Sequence, residues 1–188
     1  MEDEILTEKV AGVTLQFKTK SGVFSKVGLD KGSRLLLEEV DFKKVPDRGL
    51  IADVGAGTGV IGFVAAKKVP SAHVHLMEVN MRAANLAKEN LEINRLKNVE
   101  VFLSDLFSEV GKRSYNLILS NPAQHLGNEF LEEFADGCLS HLKPSGEVYW
   151  VVQGFLAPYV KRLFANVFGT YKIVSHSKEY LVIKAQKG

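Results

Sequence analysis

The stretch GLIADVGAGTGVIGFVAAKK, residues 49–68, joins a short apolar run to a longer one through a turn rich in glycine. The first run, Gly49–Gly55, predicts a strand, and the second, Val60–Lys68, predicts a helix that Pro70 ends. Asp53 and the glycines interrupt the apolar residues, so the stretch does not predict a membrane span. Glycine permits positive φ angles and close approach of a ligand, and the free amides of a helix N-terminus point towards that ligand.

Strand patterns and helix patterns alternate along the rest of the chain. The predicted strands are His73–Val79, Val99–Leu103, Tyr115–Ser120 and Glu147–Val152, and the predicted helices are Met81–Arg95, Glu129–Leu142 and Leu156–Val167. Tyr171–Ala185 predicts two strands around a polar turn, and they must be antiparallel because parallel strands need a long crossover. The alternation predicts an α/β sheet with helices on both faces.

Further elements are predicted ahead of the glycine-rich stretch. Val13–Phe17 has the pattern of an extra strand, and Asp30 could cap a helix that runs to Glu39. Between them, the segment Ser21–Asp30 carries two glycines and a second serine, which makes it a candidate mobile lid.

Length and composition predict one globular domain. With 46% apolar and 24% charged residues the chain resembles ordinary globular proteins, which argues against a disordered chain. We expect a single domain, residues 1–188, with an N-terminal extension at 1–48 and a ligand-binding core at 49–188. The single Cys138 offers no intramolecular disulfide, and the acidic start MEDEILTEKV lacks the apolar run of a secretory signal. Both features favour a cytoplasmic protein.

The net charge of +2 is unevenly distributed along the chain. Residues 9–34 and residues 157–188 each carry six basic side chains against one acidic side chain, whereas residues 121–147 are acidic. A basic N-terminal segment could contact the phosphates of a nucleic acid. An ordinary solvated surface explains the same pattern equally well.

Polar residues stand where several predicted strands end. Glu78 follows Gly59 by nineteen positions, a spacing at which a carboxylate can bind a ribose diol. Asp105 ends the next strand and could accept a hydrogen bond from an adenine amine, or it could cap the following turn. Asn121 ends the strand after that, and open α/β sheets bind ligands at this edge. The glycine spacing G-x-G-x-G favours S-adenosylmethionine over a dinucleotide.

The histidines do not predict a metal centre. His73 and His75 lie two positions apart on one strand, but no third ligand stands at a recognisable spacing from them. We therefore expect no metal site.

Five motifs together resemble the Rossmann-like class I methyltransferases and, within them, the methyltransferase small-domain family. In chain order they are GVFSKVGLDKGSRLLLE (22–38), DVGAGTG (53–59), MEVN (77–80), SDLFSEV (104–110) and SNPAQH (120–125). They are spread over residues 22–125. The family includes ribosomal RNA enzymes that methylate the exocyclic amine of guanine, and archaeal stand-alone members of about this length. The resemblance implies a seven-stranded, mostly parallel sheet of order 3-2-1-4-5-7-6 with the seventh strand antiparallel.

The resemblance also implies the parts that residues play around S-adenosylmethionine. It implies that the glycines of the turn line the methionine part, Glu78 the ribose and Asp105 the adenine. Asp53 and Asn121 complete the expected cofactor site. The cofactor-site glycines are Gly55, Gly57 and Gly59.

The motif NPAQH, residues 121–125, departs from the family pattern of Asn-Pro-Pro followed by an aromatic residue. In that pattern the oxygen of Asn121 and the carbonyl of Pro122 accept the two hydrogens of the target amine. His125 could take the proton afterwards or could simply be a packing residue. Gln124 replaces the aromatic residue that stacks on the base, a contact worth about 1–3 kcal/mol.

Other side chains could compensate for the missing ring. Phe24 is a candidate for the stacking face, and Lys26 beside it could contact a phosphate. Together with Gln124 they form the expected substrate-binding set. A core position explains Phe24 equally well.

Three functions remain open at this point. The first is methylation of a base amine, most readily guanine, in ribosomal or transfer RNA. The second is methylation of adenine or of a protein glutamine, which present a similar NH₂ group to Asn121. The third is a non-catalytic module that binds S-adenosylmethionine through a degenerate NPAQH motif.

Overall fold

The computed structural model describes residues 4–19 and 30–188. The candidate substrate residues Phe24 and Lys26 and most of the candidate lid lie outside these described residues. The strands are β1 (Glu4–Val10), β2 (Val13–Thr19), β3 (Leu50–Val54), β4 (His73–Glu78), β5 (Val99–Leu103), β6 (Tyr115–Ser120), β7 (Leu142–Gln153), β8 (Tyr171–His176) and β9 (Tyr180–Gln186). The α-helices are α1 (Lys31–Glu39), α2 (Val60–Lys68), α3 (Met81–Ile93), α4 (Asn128–His141) and α5 (Ala157–Phe168).

Seven strands form the main sheet in the order β5-β4-β3-β6-β7-β9-β8. The pairs from β5 to β7 are parallel, and β9 runs antiparallel to both of its neighbours. Counted from β3, this is the expected order 3-2-1-4-5-7-6 with an antiparallel seventh strand. The predicted α/β fold and the predicted antiparallel hairpin at the C-terminus are confirmed.

The central strands are apolar on both faces because helices cover both faces of the sheet. On β7, Tyr149 and Val151 belong to the apolar core under α1 and α2, whereas Trp150 belongs to the core under α4 and α5. Trp150 stacks on Phe134 of α4 at 4.6 Å between ring centroids. Because β3, β4, β5 and β6 are parallel, their carboxyl ends lie at the same edge of the sheet.

The strand predicted at Val13–Phe17 is present as β2, but it does not join the main sheet. It pairs antiparallel with β1 in a separate two-stranded sheet. Polar side chains attach this hairpin to α3: the Lys18 N–H donates to Asn90 Oδ1 at 2.7 Å, and Asn94 Nδ2 donates to the Gln16 carbonyl at 2.7 Å. β1 itself was not predicted.

Strand β7 begins five residues earlier than predicted. The helix before it ends as expected ahead of Pro144, but the following residues stay extended. The Ser145 N–H donates to the Lys187 carbonyl, and the Lys187 N–H donates to the Gly146 carbonyl, both at 2.9 Å. These long-range bonds keep the proline-containing segment in the sheet, with a register shift against β6. The prediction of a single domain with a boundary near residue 48 stays a prediction.

Candidate active site

A cleft opens at the carboxyl ends of β3, β4, β5 and β6, the edge at which open parallel sheets bind ligands. It encloses about 630 Å³, including the part that is open to solvent. Five of the predicted site residues line it together: Gly55, Glu78, Asp105, Asn121 and Pro122. The predicted convergence of strand-end side chains is therefore present in the structure.

The glycine-rich turn borders the cleft with open space beside two of its glycines. Gly55 and Gly57 have φ angles of +72° and +56°, and a Cβ added to either would meet no atom within 4 Å. Gly59 differs, because a Cβ there would lie 2.6 Å from Phe63 and 2.8 Å from Leu76. Gly59 is thus required for packing α2 on the sheet, whereas Gly55 and Gly57 leave room for a ligand.

Glu78 holds the turn and the start of α3 in place. Its Oε2 accepts a hydrogen bond from the Gly57 N–H, and its Oε1 accepts one from the Asn80 N–H, both at 2.7 Å. The side chain is 9% exposed, and it lines the cleft. Each carboxylate oxygen can accept a second bond, so Glu78 can bind a ribose diol while it holds the turn.

Ser104, rather than Asp105, organises the turn after β5. Its hydroxyl donates to the Leu106 carbonyl at 2.9 Å and accepts from the Glu109 N–H at 3.2 Å. The Asp105 side chain is exposed at the cleft, which leaves it available to a ligand. Leu106 has a positive φ of 46°, uncommon for leucine, and presents an apolar surface to the same cleft.

Asp53 was expected in the cofactor site, but it lies beneath the glycine-rich turn and is not part of the cleft wall. Its Oδ2 accepts from the Gly62 N–H at 2.8 Å, and its Oδ1 is buried with no described partner. Burial raises the pKa of Asp53 to about 7, which the bond from Gly62 opposes and the charge of Glu78 reinforces. Asp53 therefore connects β3 to α2 under the turn.

We expect Asp53 to make the free energy of unfolding depend on pH. Its folded pKa lies above the unfolded value of 3.8, so its stabilising contribution is complete below that value and is lost as the pH rises through about 7. The free energy of unfolding is measured in urea from pH 4 to pH 8. Over this range, the free energy of unfolding of Asp53→Asn should rise relative to that of the wild type by up to about 4 kcal/mol. Asp41→Asn, which removes an exposed carboxylate at a 3-10 turn, should not change the pH slope. Parallel pH curves for wild type and Asp53→Asn would contradict this account.

Asn121 is held from outside the sheet by the start of α1. Its Nδ2 donates to Asp30 Oδ2 at 3.0 Å and to Ser33 Oγ at 3.1 Å. Ser120 fixes the backbone just before it, because the Ser120 hydroxyl donates to the Val54 carbonyl at 2.6 Å. Within the described part of the chain, no donor is bonded to Asn121 Oδ1, so this oxygen can accept from a ligand in the cleft.

The two residues that follow Ala123 are not among those that line the cleft. The Gln124 Oε1 accepts from the Gln153 N–H at 2.7 Å, which attaches the loop to the end of β7. His125 is exposed in the short 3-10 turn Gln124–Leu126 and is absent from the residues that line the cleft. The expected parts of Gln124 in substrate binding and of His125 in proton transfer stay predictions.

Sequence reasoning missed several residues of the site. Asp30 was predicted as the cap of α1, and the structure confirms this. Its contact with Asn121 was not predicted, because the two residues are 91 positions apart in the sequence. Ser33 was not predicted at all. The apolar wall from Leu126, Phe130 and Phe134 was also missed, because its residues look like an ordinary helix core. Such contacts become visible only when the packing of α1 and α4 against the sheet is known.

Neither a metal centre nor a membrane span is found in the described residues. No three side chains of the metal-ligating types cluster there. His75 is buried, and its Nδ1 lies 3.1 Å from the Tyr115 hydroxyl, while burial lowers its pKa. Across residues 4–19 and 30–188, no helix has the length and apolar character needed to cross a bilayer.

Comparison with known proteins gives the family. The sequence pattern of the family described as "Methyltransferase small domain" matches residues 14–184. The chain belongs to the methyltransferase small domain family. The predicted enzyme class, a methyltransferase that depends on S-adenosylmethionine, is thereby confirmed at the level of the family.

Individual relatives extend over the same region. The chain is 38% identical over 173 residues to "Uncharacterized protein YbxB" of Bacillus subtilis, a match that covers 91% of this chain and 85% of that protein. It is 35% identical over 175 residues to "Ribosomal RNA small subunit methyltransferase C" of Hamiltonella defensa, covering 91% of this chain and 50% of that protein. This chain thus spans about half the length of that methyltransferase.

A solved structure with the same fold is that of the 16S rRNA N2 G1207 methyltransferase (RsmC) of T. thermophilus, in complex with AdoMet and guanosine. The TM-score is 0.87 at 25% identity, and the match covers 98% of this chain and 50% of that one. A ribosomal protein L11 methylase from Lactobacillus delbrueckii, at 20% identity and a TM-score of 0.69, shares the fold.

The residues of the cleft suit S-adenosylmethionine by their chemistry. The molecule carries an adenine ring, a ribose diol and a positively charged sulfur. Leu106 and Phe130 offer apolar surface for a ring, while Glu78 and Asp105 offer carboxylates for the diol, for an amine and for the positive charge. The open space beside Gly55 and Gly57 leaves room for the rest of the S-adenosylmethionine molecule.

Proposed function

We propose that this protein methylates the exocyclic amine of guanine in ribosomal RNA, with S-adenosylmethionine as the methyl donor. The observation that carries the proposal is the fixed amide of Asn121, which borders the cofactor cleft with its oxygen open to a ligand. A guanine N2 amine carries two hydrogens, and the Asn121 Oδ1 and the Pro122 carbonyl are two neighbouring acceptors. The names of the ribosomal RNA methyltransferase relatives support this substrate class.

In this proposal the cofactor, when bound, supplies a methyl group on a positively charged sulfur. Glu78 and the backbone beside Gly55 and Gly57 would hold it at the carboxyl ends of β3 and β4, and Asp105 would accept a hydrogen bond from the adenine amine. The apolar wall that includes Leu106 keeps water away from the reacting atoms.

Asn121 and Pro122 orient the amine so that its lone pair faces the methyl group. Holding two reactants in this geometry can lower a barrier by about 7–11 kcal/mol. Positive charge would develop on the amine nitrogen as its bond to the methyl carbon forms and the bond from that carbon to sulfur breaks, leaving the electron pair on sulfur. The two carbonyl dipoles would stabilise the charge on nitrogen. No base is needed before attack, and the proton leaves afterwards to solvent or to His125.

A labelling experiment tests the proposal. The protein is incubated with methyl-labelled S-adenosylmethionine and RNA from cells that lack small-subunit ribosomal RNA modification, and the RNA is digested to nucleosides. We expect the label in N2-methylguanosine from the small-subunit ribosomal RNA fraction. Label in methyladenosine or in protein glutamine would instead identify adenine or a protein glutamine as the substrate. Absence of label from every RNA and protein fraction, with cofactor still bound, would favour the non-catalytic alternative.

Gln124→Phe is expected to tighten binding of the RNA substrate. An aromatic ring at this position would stack on the target base, which is worth about 1–3 kcal/mol, or roughly a 5- to 150-fold lower KM. The change also removes the bond from Gln124 to the Gln153 N–H, so the control is Gln124→Leu, which loses the bond without gaining a ring. Equal KM values for the Phe and Leu variants would show that no base stacks there.

A further inference from the structure

We propose that Asp30 and Ser33, at the start of α1, determine which face of the Asn121 amide meets the substrate, and that they thereby select a substrate group that donates hydrogen bonds. This inference rests on the proposed function of Asn121. The carboxylate of Asp30 and the hydroxyl of Ser33 each accept from Asn121 Nδ2, at 3.0 Å and 3.1 Å. An NH₂ group carries two hydrogens, so it can donate to both acceptors at once.

The chemistry of Asp30 fixes the orientation of the amide. An ionised carboxylate can only accept hydrogen bonds, so it must face the NH₂ side of Asn121. A reversed amide would bring Asn121 Oδ1 against a carboxylate oxygen at about the same 3.0 Å, with two acceptors facing each other. The carbonyl side of Asn121 is therefore the side that remains for the cleft.

Asp30 is itself held by the helix that it caps. Its Oδ1 accepts from the Gly32 N–H at 2.8 Å, and its Oδ2 accepts from the Ser33 N–H at 3.2 Å. Gly32 lies close against the ring of Tyr180 on β9, where a Cβ would come within 2.9 Å of the ring. Ser33 is buried, with 6% of its surface exposed. The orientation of Asn121 is thus set by how α1 packs on the sheet.

The β1–β2 hairpin fixes the same helix from its other side. The guanidinium of Arg34 donates to the Lys9 carbonyl at 2.8 Å and to the Glu8 carboxylate at 3.0 Å. The hairpin therefore helps to hold α1, and with it Asp30 and Ser33, in place.

Two consequences follow for the reaction. An amine can donate to Asn121 Oδ1, whereas a keto oxygen at the same place would be repelled. The negative charge of Asp30 also polarises the Asn121 amide, which makes Oδ1 a stronger acceptor as positive charge develops on the amine. Asp30 and Ser33 are in this sense positioning residues that act through Asn121.

Asp30→Asn tests the orientation at almost constant shape. Asparagine caps helices as well as aspartate does, so α1 keeps its cap. The variant loses the negative charge and one of the two oxygens that together accept from the Gly32 N–H, the Ser33 N–H and the Asn121 NH₂ group. We expect kcat for ribosomal RNA to fall at least tenfold while the Kd of S-adenosylmethionine changes less than twofold. Ser33→Ala should lower kcat less. The matched control Asp41→Asn, at the cap of the 3-10 turn Phe42–Lys44, should keep wild-type kcat.

A double-mutant comparison separates positioning from general stability. In the Asn121→Ala background, Asp30→Asn should lower kcat no further, because the amide that it orients is gone. A tenfold loss in both backgrounds would overturn the inference, since Asp30 would then act through something other than Asn121.

A measurement without substrate keeps this inference distinct from the proposed function. In ¹⁵N-labelled protein, the side-chain NH₂ of Asn121, assigned by its loss in Asn121→Ala, should exchange with solvent at least tenfold faster in Asp30→Asn than in wild type. If wild type shows that protection but methylates no RNA, the orientation stands and the proposed function fails. If exchange is equally fast in wild type and Asp30→Asn, the inference fails whatever the activity.

Discussion

Asn121→Ala is expected to lower kcat for RNA methylation by about 10²–10³-fold, the effect of removing one preorganised dipole from a reaction site. The Kd of S-adenosylmethionine should change less than about threefold, because the amide acts on the charge that develops on the amine rather than on the bound cofactor. Single-turnover rates at saturating RNA, with calorimetry for the cofactor, measure the two quantities separately.

The control for this variant is Asn128→Ala. Asn128 is an exposed asparagine at the start of α4, and no hydrogen bond of its side chain is found in the described part of the chain. It should retain wild-type kcat. An Asn121→Ala protein with wild-type kcat and weakened cofactor binding would remove Asn121 from the chemistry.

Glu78→Ala is expected to weaken binding of S-adenosylmethionine by about 10- to 150-fold. The variant loses a charged acceptor for the ribose, worth about 1.5–3 kcal/mol. It also leaves the Gly57 and Asn80 amides without their 2.7 Å partner, which loosens the turn that holds the cofactor. Calorimetry measures the affinity.

Glu92→Ala is the matched control, because Glu92 is an exposed carboxylate of the same charge on α3. It should bind the cofactor as tightly as wild type does. Equal affinities in Glu78→Ala and Glu92→Ala would exclude Glu78 from the cofactor site.

The sequence predicted the sheet well because its signals are local. The bounds of α2, β5 and β6 agree with the predicted ranges, since apolar runs, glycines and Pro70 mark their ends. The edge where Glu78, Asp105 and Asn121 meet follows from parallel pairing alone.

What the sequence could not predict depends on distant contacts. Strand β1 is held by its pairing with β2 and by the hairpin's bonds to α3, neither of which leaves a periodic pattern. Likewise, the hydrogen bond from Asn121 to Asp30 cannot be predicted without knowing where α1 packs on the sheet. Gly59 was expected beside the cofactor because of its place in the motif. In the structure, a Cβ at this position would collide with Phe63 and Leu76, which assigns Gly59 to the packing of α2.

The central claim, methylation of a guanine amine held by Asn121, is tested most directly with inosine, which is guanosine without the exocyclic amine. Two small-subunit ribosomal RNA transcripts are prepared, one with guanosine and one with inosine in its place, and each is incubated with the protein and methyl-labelled S-adenosylmethionine. We predict label in the guanosine transcript and none in the inosine transcript. Equal labelling of the two transcripts would contradict the claim, because the methyl group would then go to an atom other than the amine.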